Sequence, residues 1–344
     1  MDINPAAKRV GGQTVMFSKA PVIASYAAIA GDMEGDGWYG EHFDIILEDD
    51  LWGEESWEKS EAKMFEQVVR LALQKGNLSV EQVDVLLGGD LLNQIISANY
   101  AARQLEIPFF GLYGACSTMS ESLLLGSMLV EGGFSSLCAC ATSSHFSSAE
   151  RQYRNPLELG SQRPPTAQRT ITGSGCAVLA NDTLSGARVV VAGGTIGKVI
   201  DLGVTDVNNM GAAMAPAAAD TIVMHLQDTG RTVDDYDLIV TGDLGKYGRK
   251  LCDELCAQKS VYFDEKHFDC GERIFKEEQD THAGGSGCGC AGIMLNGYLL
   301  KRMIAGDYNR ILFMATGALM NPGISQQGES IPSIAHAIVL ERRT

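Results

Sequence analysis

Apolar and polar positions along this chain fall into blocks whose period switches repeatedly between helical and extended spacing. Between Ser56 and Gln74 the residues Ala62, Phe65, Val69, Ala72 and Leu73 recur at helical intervals, and the run stops near Gly76. Residues 83–87 predict a short buried strand turned by Gly88, Gly89 and Asp90, and residues 93–105 a helix closed by Ile107 and Pro108. A strand over 109–113 runs into GACST, a long helix over 119–130 carries small residues at Ser120 and Gly126, and 137–141 reads as the next strand. GSGCAVLAN then predicts a closing strand. From near Arg188 a second series follows: a helix over 217–227, a strand over 238–241, a helix holding Cys252 and Cys256, the Gly-rich loop 284–290 with its helix, and a strand over 311–315. Alternation of this kind predicts a parallel or mixed sheet covered by helices. Residues 1–57 read as irregular and acidic, and 151–170 as a polar, Pro-containing excursion of the type that carries function or an interface.

The two series are copies. VDVLLGGDL leads to GACSTMSESLLLGSMLVEGG and LCACAT; YDLIVTGDL leads to GCGCAGIMLNGYLLKRMIAG and ILFMAT. Pairing Gly132 with Gly306 and Thr142 with Thr316 gives one constant offset of 174 residues, which aligns Cys116 with Cys290. The closing segment SIPSIAHAIVLERR is the counterpart of GSGCAVLAN. Two halves, 1–185 and 186–344, are expected to pack with equivalent loops meeting at a shared centre.

With 344 residues and 45% apolar content the chain can bury a large core. Its formal net charge of −16, with no basic stripe, argues against a nucleic-acid partner and against adsorption to anionic lipid. No run reaches the about 18 uninterrupted apolar residues needed to span a bilayer, and the N-terminus lacks the apolar core of a signal peptide. The nine cysteines are odd in number and scattered through apolar runs, which reads as reduced, buried thiols. Neither Cys252 with Cys256 nor Cys288 with Cys290 has the paired spacing of a zinc site, so no metal is expected.

Cys116 follows a strand and opens a helix, where unpaired N–H groups and the helix dipole lower a thiol pKa. That is where a nucleophile would sit, and equally where a small side chain suits a tight turn. AGGSGCGC also opens a helix; its glycines would either present successive N–H groups to an anion or permit close packing. Two such helix ends at one pocket would suit a compact dianion or a developing oxyanion.

This two-halved pattern, with Cys at one strand–helix junction and a Gly-rich turn at the other, resembles the thiolase fold of thiolases and ketoacyl synthases. The set GDLLNQ, FGLYGACSTMSESL, ATSSH, AERQYRNP, PPTAQRTITGSG, IDLGVTD, MGAAMAPAAADTI, YDLIVTGDL, AGGSGCGC and ESIPSIAHAIVLER resembles, more narrowly, the stage V sporulation protein AD family. The resemblance spans about Gly89 to Arg342, whereas the first ~80 residues carry no sharp motif. It implies an α/β, layered αβαβα fold with mixed sheets, and a part in the spore membrane machinery that takes up dipicolinic acid (pyridine-2,6-dicarboxylate), free or as its calcium chelate. It further implies a location peripheral to the inner membrane of the developing spore, other membrane subunits as partners, no cofactor beyond chelated calcium and, by analogy with the fold, a homodimer.

Where condensing enzymes of the synthase III branch place a His after the strand matching DLIVTGD, this chain has Gly242 and Asp243; no Asn occurs between Thr281 and Ala291. Without these donors enolate stabilisation is lost, so Cys116 is expected to be a vestigial nucleophile. The alternative is an acyltransferase acting through Cys116. The expected ligand residues are Cys116 and Ser117 at the first helix end, Ser143, Ser144 and His145 after CACAT, Asp243, and Gly285, Ser286 and Gly287 at the second helix end.

Overall fold

The computed structural model describes residues 8–153, 163–181 and 187–343. Ten strands form the spine of one long sheet: β1 (Val22–Ala30), β2 (Val85–Gly89), β3 (Phe109–Gly111), β4 (Leu137–Ser144), β5 (Gly173–Ala180), β6 (Val189–Thr195), β7 (Leu238–Thr241), β8 (His267–Asp269), β9 (Arg310–Ala318) and β10 (Ser333–Arg342). Their spatial order is β8-β7-β9-β10-β6-β1-β5-β4-β2-β3. Read outward from the middle, each half has the same order, first-fifth-fourth-second-third. The senses match as well: the first, fifth and fourth strands pair antiparallel, the fourth, second and third parallel. The halves join at Val22 and Val190, and the short strand Thr14–Met16 of the first half also pairs antiparallel with β6. The duplication read from the sequence is therefore a duplication of topology.

Helices α1 (Trp57–Lys75) and α2 (Ile96–Leu105) cover the outer face of the first half, and α5 (Met210–Thr229) and α6 (Gly245–Ala257) that of the second. Between the half-sheets lie α3 (Thr118–Glu131) and a second helix built from α7 (Cys288–Ile293), a π-helical turn (Met294–Leu299) and α8 (Leu300–Ala305). The result is five layers, helix–sheet–helix–sheet–helix. The apolar core follows them in three blocks: Phe65, Val68, Leu86 and Val178 under the first outer helices, Met214, Ile222, Leu312 and Val339 under the second, and Leu123, Leu87, Ile293, Phe313 and Leu340 from both halves around the middle layer. Alternate residues of one strand serve different blocks, as in Leu312 and Phe313.

Three expectations need correction. Residues 1–57 are not irregular throughout, because VIASYAAIA is β1, at the centre of the sheet. With both faces covered it shows no polar alternation, and its alanines give weak strand propensity. The helix expected to start after Pro216 starts at Met210; Pro216 is accommodated inside it, surrounded by buried small residues. The helix expected from Asn93 is regular only from Ile96, since Gln94 and Ile95 are left-handed. The boundary between residues 185 and 186 and most of the polar excursion (154–162) lie outside the described residues; residues 151–153 close helix α4 (Phe146–Tyr153).

Candidate functional site

Each half ends its second strand on the same buried pair of letters. β2 is followed by Asp90 and β7 by Gly242 and Asp243, and both carboxylates are wholly buried. Asp243 accepts from Thr316 Oγ1 at 2.5 Å and from Gly287 N at 3.3 Å, while its carbonyl accepts from Gln168 Nε2 at 2.7 Å. The Cys116 thiol also hydrogen-bonds the Asp243 carboxyl. Burial pushes Asp243 up to about 7, against the hydrogen bonds from Thr316 and Cys116 that favour its charged form.

Cys116 stands in a short 3-10 turn (Ala115–Ser117) that opens α3, preceded by Ala115 at φ +50°. This left-handed conformation is strained for a residue with a Cβ. The placement at a helix start matches expectation, but its electrostatic consequence does not. Burial, then the neighbouring Asp243, pushes the Cys116 thiol well above its ordinary value. Desolvation and a facing carboxyl outweigh the helix dipole, and the sulfur is held as a neutral thiol.

Cys116 and Ser286 line one cavity of about 40 Å³, together with Leu91, Tyr153, Met210 and Met320. The two loops expected to meet do meet. Gly285 and Ser286 pair in parallel with Arg169 and Thr170, and Gln168 Nε2 donates to Gly285 O at 2.9 Å. Gly287, at φ +114°, needs its freedom, because a Cβ there would stand 2.8 Å from Ser144 Oγ. Ser144 belongs to the same junction, donating to Ile171 O at 2.7 Å and accepting from Gly289 N at 2.9 Å. Cys288, not the aligned Cys290, packs with Cys116, and its thiol donates to Ala115 O at 3.0 Å. Cys290 turns into the middle core and donates to Gly242 O.

Of the expected ligand residues only Cys116 and Ser286 line the cavity; Asp243, Ser144, Gly285 and Gly287 do not, and Ser117, Ser143 and His145 are engaged elsewhere. Ser117 donates back to Gly114 O at 2.7 Å. Ser143 and His145 sit on the strand face opposite Ser144. Ser143 donates to Glu61 Oε1 at 3.2 Å, and Ser148 of α4 donates to Glu61 Oε2 at 2.9 Å. Glu61 is held well above the usual carboxyl range by burial and then by Asp90. His145 accepts from Ser147 N at Nδ1 and donates from Nε2 to Asp50 O at 2.8 Å, a neutral ring fixed in place. Period-two alternation alone separates Ser144 from Ser143 and His145. Sequence reasoning missed Gln168 and Thr316 as supports of Asp243. Thr316 was visible as the partner of Thr142 in the repeat, although Thr142 Oγ1 donates to a different kind of acceptor, the backbone carbonyl of Cys288, at 3.1 Å.

No histidine takes the place of the missing base. His225 bonds Thr195 and Tyr236, His267 bonds Asp253 and Thr241, and His336 accepts from Gly197 N. His42 and His282 lie beside Glu41 and Asp280.

A sequence model of the family described as stage V sporulation protein AD (SpoVAD) matches residues 11–341. The chain belongs to the stage V sporulation protein AD family. It is 45% identical over 335 residues to stage V sporulation protein AD of Bacillus subtilis (strain 168), covering 97% of this chain and 98% of that protein. Among solved structures, the fold is shared with human mitochondrial 3-ketoacyl-CoA thiolase in complex with CoA (TM-score 0.61, 13% identity, 96% of this chain and 100% of that one). It is shared too with 3-oxoacyl-[acyl-carrier-protein] synthase III of Aquifex aeolicus VF5 (TM-score 0.57, 14% identity, 93% and 99%). At that identity the likeness concerns the fold, which is thiolase-like. Among the described residues of this SpoVAD-family chain, no helix is long and apolar enough to cross a membrane.

Proposed function

We propose that this SpoVAD-family chain is a non-catalytic binding component for pyridine-2,6-dicarboxylate, free or as its calcium chelate, within the spore membrane machinery that takes this compound up during sporulation. It would act there beside membrane subunits at the spore inner membrane. The observation that carries the reading is Asp243. A buried carboxyl stands against Cys116 in a fold whose enzymes need a base and oxyanion donors, and it keeps the thiol protonated. The same arrangement suits binding without turnover. Below about pH 7 Asp243 is a neutral acid behind Cys116, which lines the cavity, and the starts of α3 and α7 lie close by. The cavity of about 40 Å³ takes roughly three waters. A ring with two carboxylates therefore enters only if the lining re-packs, and Met210 and Met320 are the flexible side chains there.

Calorimetry with pyridine-2,6-dicarboxylate, with and without calcium, tests the reading. Saturable heat is expected for the wild type, with affinity for the free dianion falling as pH rises through about 7 and Asp243 ionises. It should fall in Ala318→Phe, which fills the cavity. No heat in any condition removes the ligand. Mass spectrometry after incubation with acetyl-coenzyme A addresses the acyltransferase alternative: an acyl adduct on Cys116 that turns over would overturn the proposal.

A further inference from the structure

A second hollow, about 640 Å³ in volume, lies on the other side of the Gly-rich turn. Gly284 lines it, while Ser286, two residues on, lines the inner cavity. Its walls are Trp38 and Tyr39, which follow β1, Lys246 of α6, and the segment from Glu272 to His282. Trp38 is 63% exposed, a large apolar face left in water. Three cations, Lys246, Arg273 and Lys276, line the same hollow, and none is in an ion pair among the described residues. Lys276 Nζ sits 5.9 Å from the centre of the Trp38 ring. Of the acids in the wall, Glu272 is neutralised by Arg249 at 2.5 Å and Asp280 lies 3.6 Å from His282. Glu277 is exposed.

In a chain of net charge −16, three cations without carboxylate partners stand around one exposed indole and match the three acids of the same wall, of which Glu272 is taken up by Arg249. An anion alone would use the cations and leave Trp38 idle; an apolar molecule would do the opposite. We infer that this hollow is a binding site for a flat aromatic carboxylate, its ring against Trp38 and Phe275 and its carboxylates toward Lys246, Arg273 and Lys276. The identity of the probe rests on the function proposed above, but the site itself does not. The outer hollow admits such a molecule at its present size, whereas the inner cavity does not.

The chain has three tryptophans, so indole N–H resonances of tryptophan-labelled protein give a direct readout, with Trp38→Phe identifying its signal. Titration with pyridine-2,6-dicarboxylate should shift the Trp38 signal and leave those of Trp52 and Trp57 unmoved. The double variant Arg273→Ala, Lys276→Ala should weaken the response at least tenfold while the circular dichroism stays unchanged. Inorganic phosphate should neither reproduce the shift nor displace the dicarboxylate at equal concentration. In Ala318→Phe the Trp38 shift should persist even though the inner cavity is filled. Absence of a Trp38 shift at millimolar ligand, or an equal shift in the double variant, refutes the site. Full displacement by phosphate refutes the aromatic class. Calorimetric heat without a Trp38 shift sinks this inference alone, and a Trp38 shift that survives Ala318→Phe with all the heat intact sinks the inner site alone.

Discussion

Cys116 and Asp243 set each other's protonation, and the sign of that coupling is open to measurement. After burial, the Asp243 carboxylate does most to hold the thiol up. Asp243→Asn should therefore lower the Cys116 pKa and speed its alkylation by iodoacetamide at pH 7.5, relative to a wild type that reacts more slowly than a free thiol. An unchanged rate would mean that the two groups do not interact. The same substitution reports on stability. Asp243 keeps its proton to about pH 7 in the folded chain but only to its ordinary 3.8 when unfolded. The stabilisation it contributes is complete below that lower value and is lost as pH climbs to about 7. Melting temperature should fall across this window, and less steeply in Asp243→Asn.

The Gly-rich turn is an element with little tolerance. Gly287→Ala would force a side chain onto Ser144 Oγ at a φ of +114°, and should cost about 1–3 kcal/mol in chemical denaturation. Elements whose surroundings differ from one face to the other, or whose ends are marked by Gly and Pro, were legible in the sequence. α1 shows this, with Ser56 accepting from Lys59 N at its start and Gly76 at its end. β1 and β6 were not. Both lie at the seam of the sheet, buried on both faces, so no polar residue marks their period. At the site, Cys116 and Ser286 were correctly brought together by the repeat, because offset alone locates two equivalent turns. Ser143 and His145 were not separable from Ser144 without knowing which strand face looks at the second half. Lys246, Arg273 and Lys276 remained invisible as a group, since only folding brings α6 beside the segment after β8.

Across the whole molecule, stability is concentrated in the middle layer. Phe313 is fully buried in the block that contains residues of both halves. Phe313→Ala should destabilise by about 3–5 kcal/mol and lower a single unfolding transition. Two separate transitions, only one of them shifted, would show that the halves fold independently. The mirrored strand order also dictates how such a chain must be built. A lone copy of the repeat would leave the inner faces of Leu87, Leu123 and Leu179, or of Phe313, Ile338 and Leu340, open to water. In the sheet β1 and β6 are bridged at one residue pair, and the short strand Thr14–Met16 of the first half adds three more pairs with β6. The chain is thus a covalently tethered pair whose members shelter one another, and neither turn at the centre can drift without its twin.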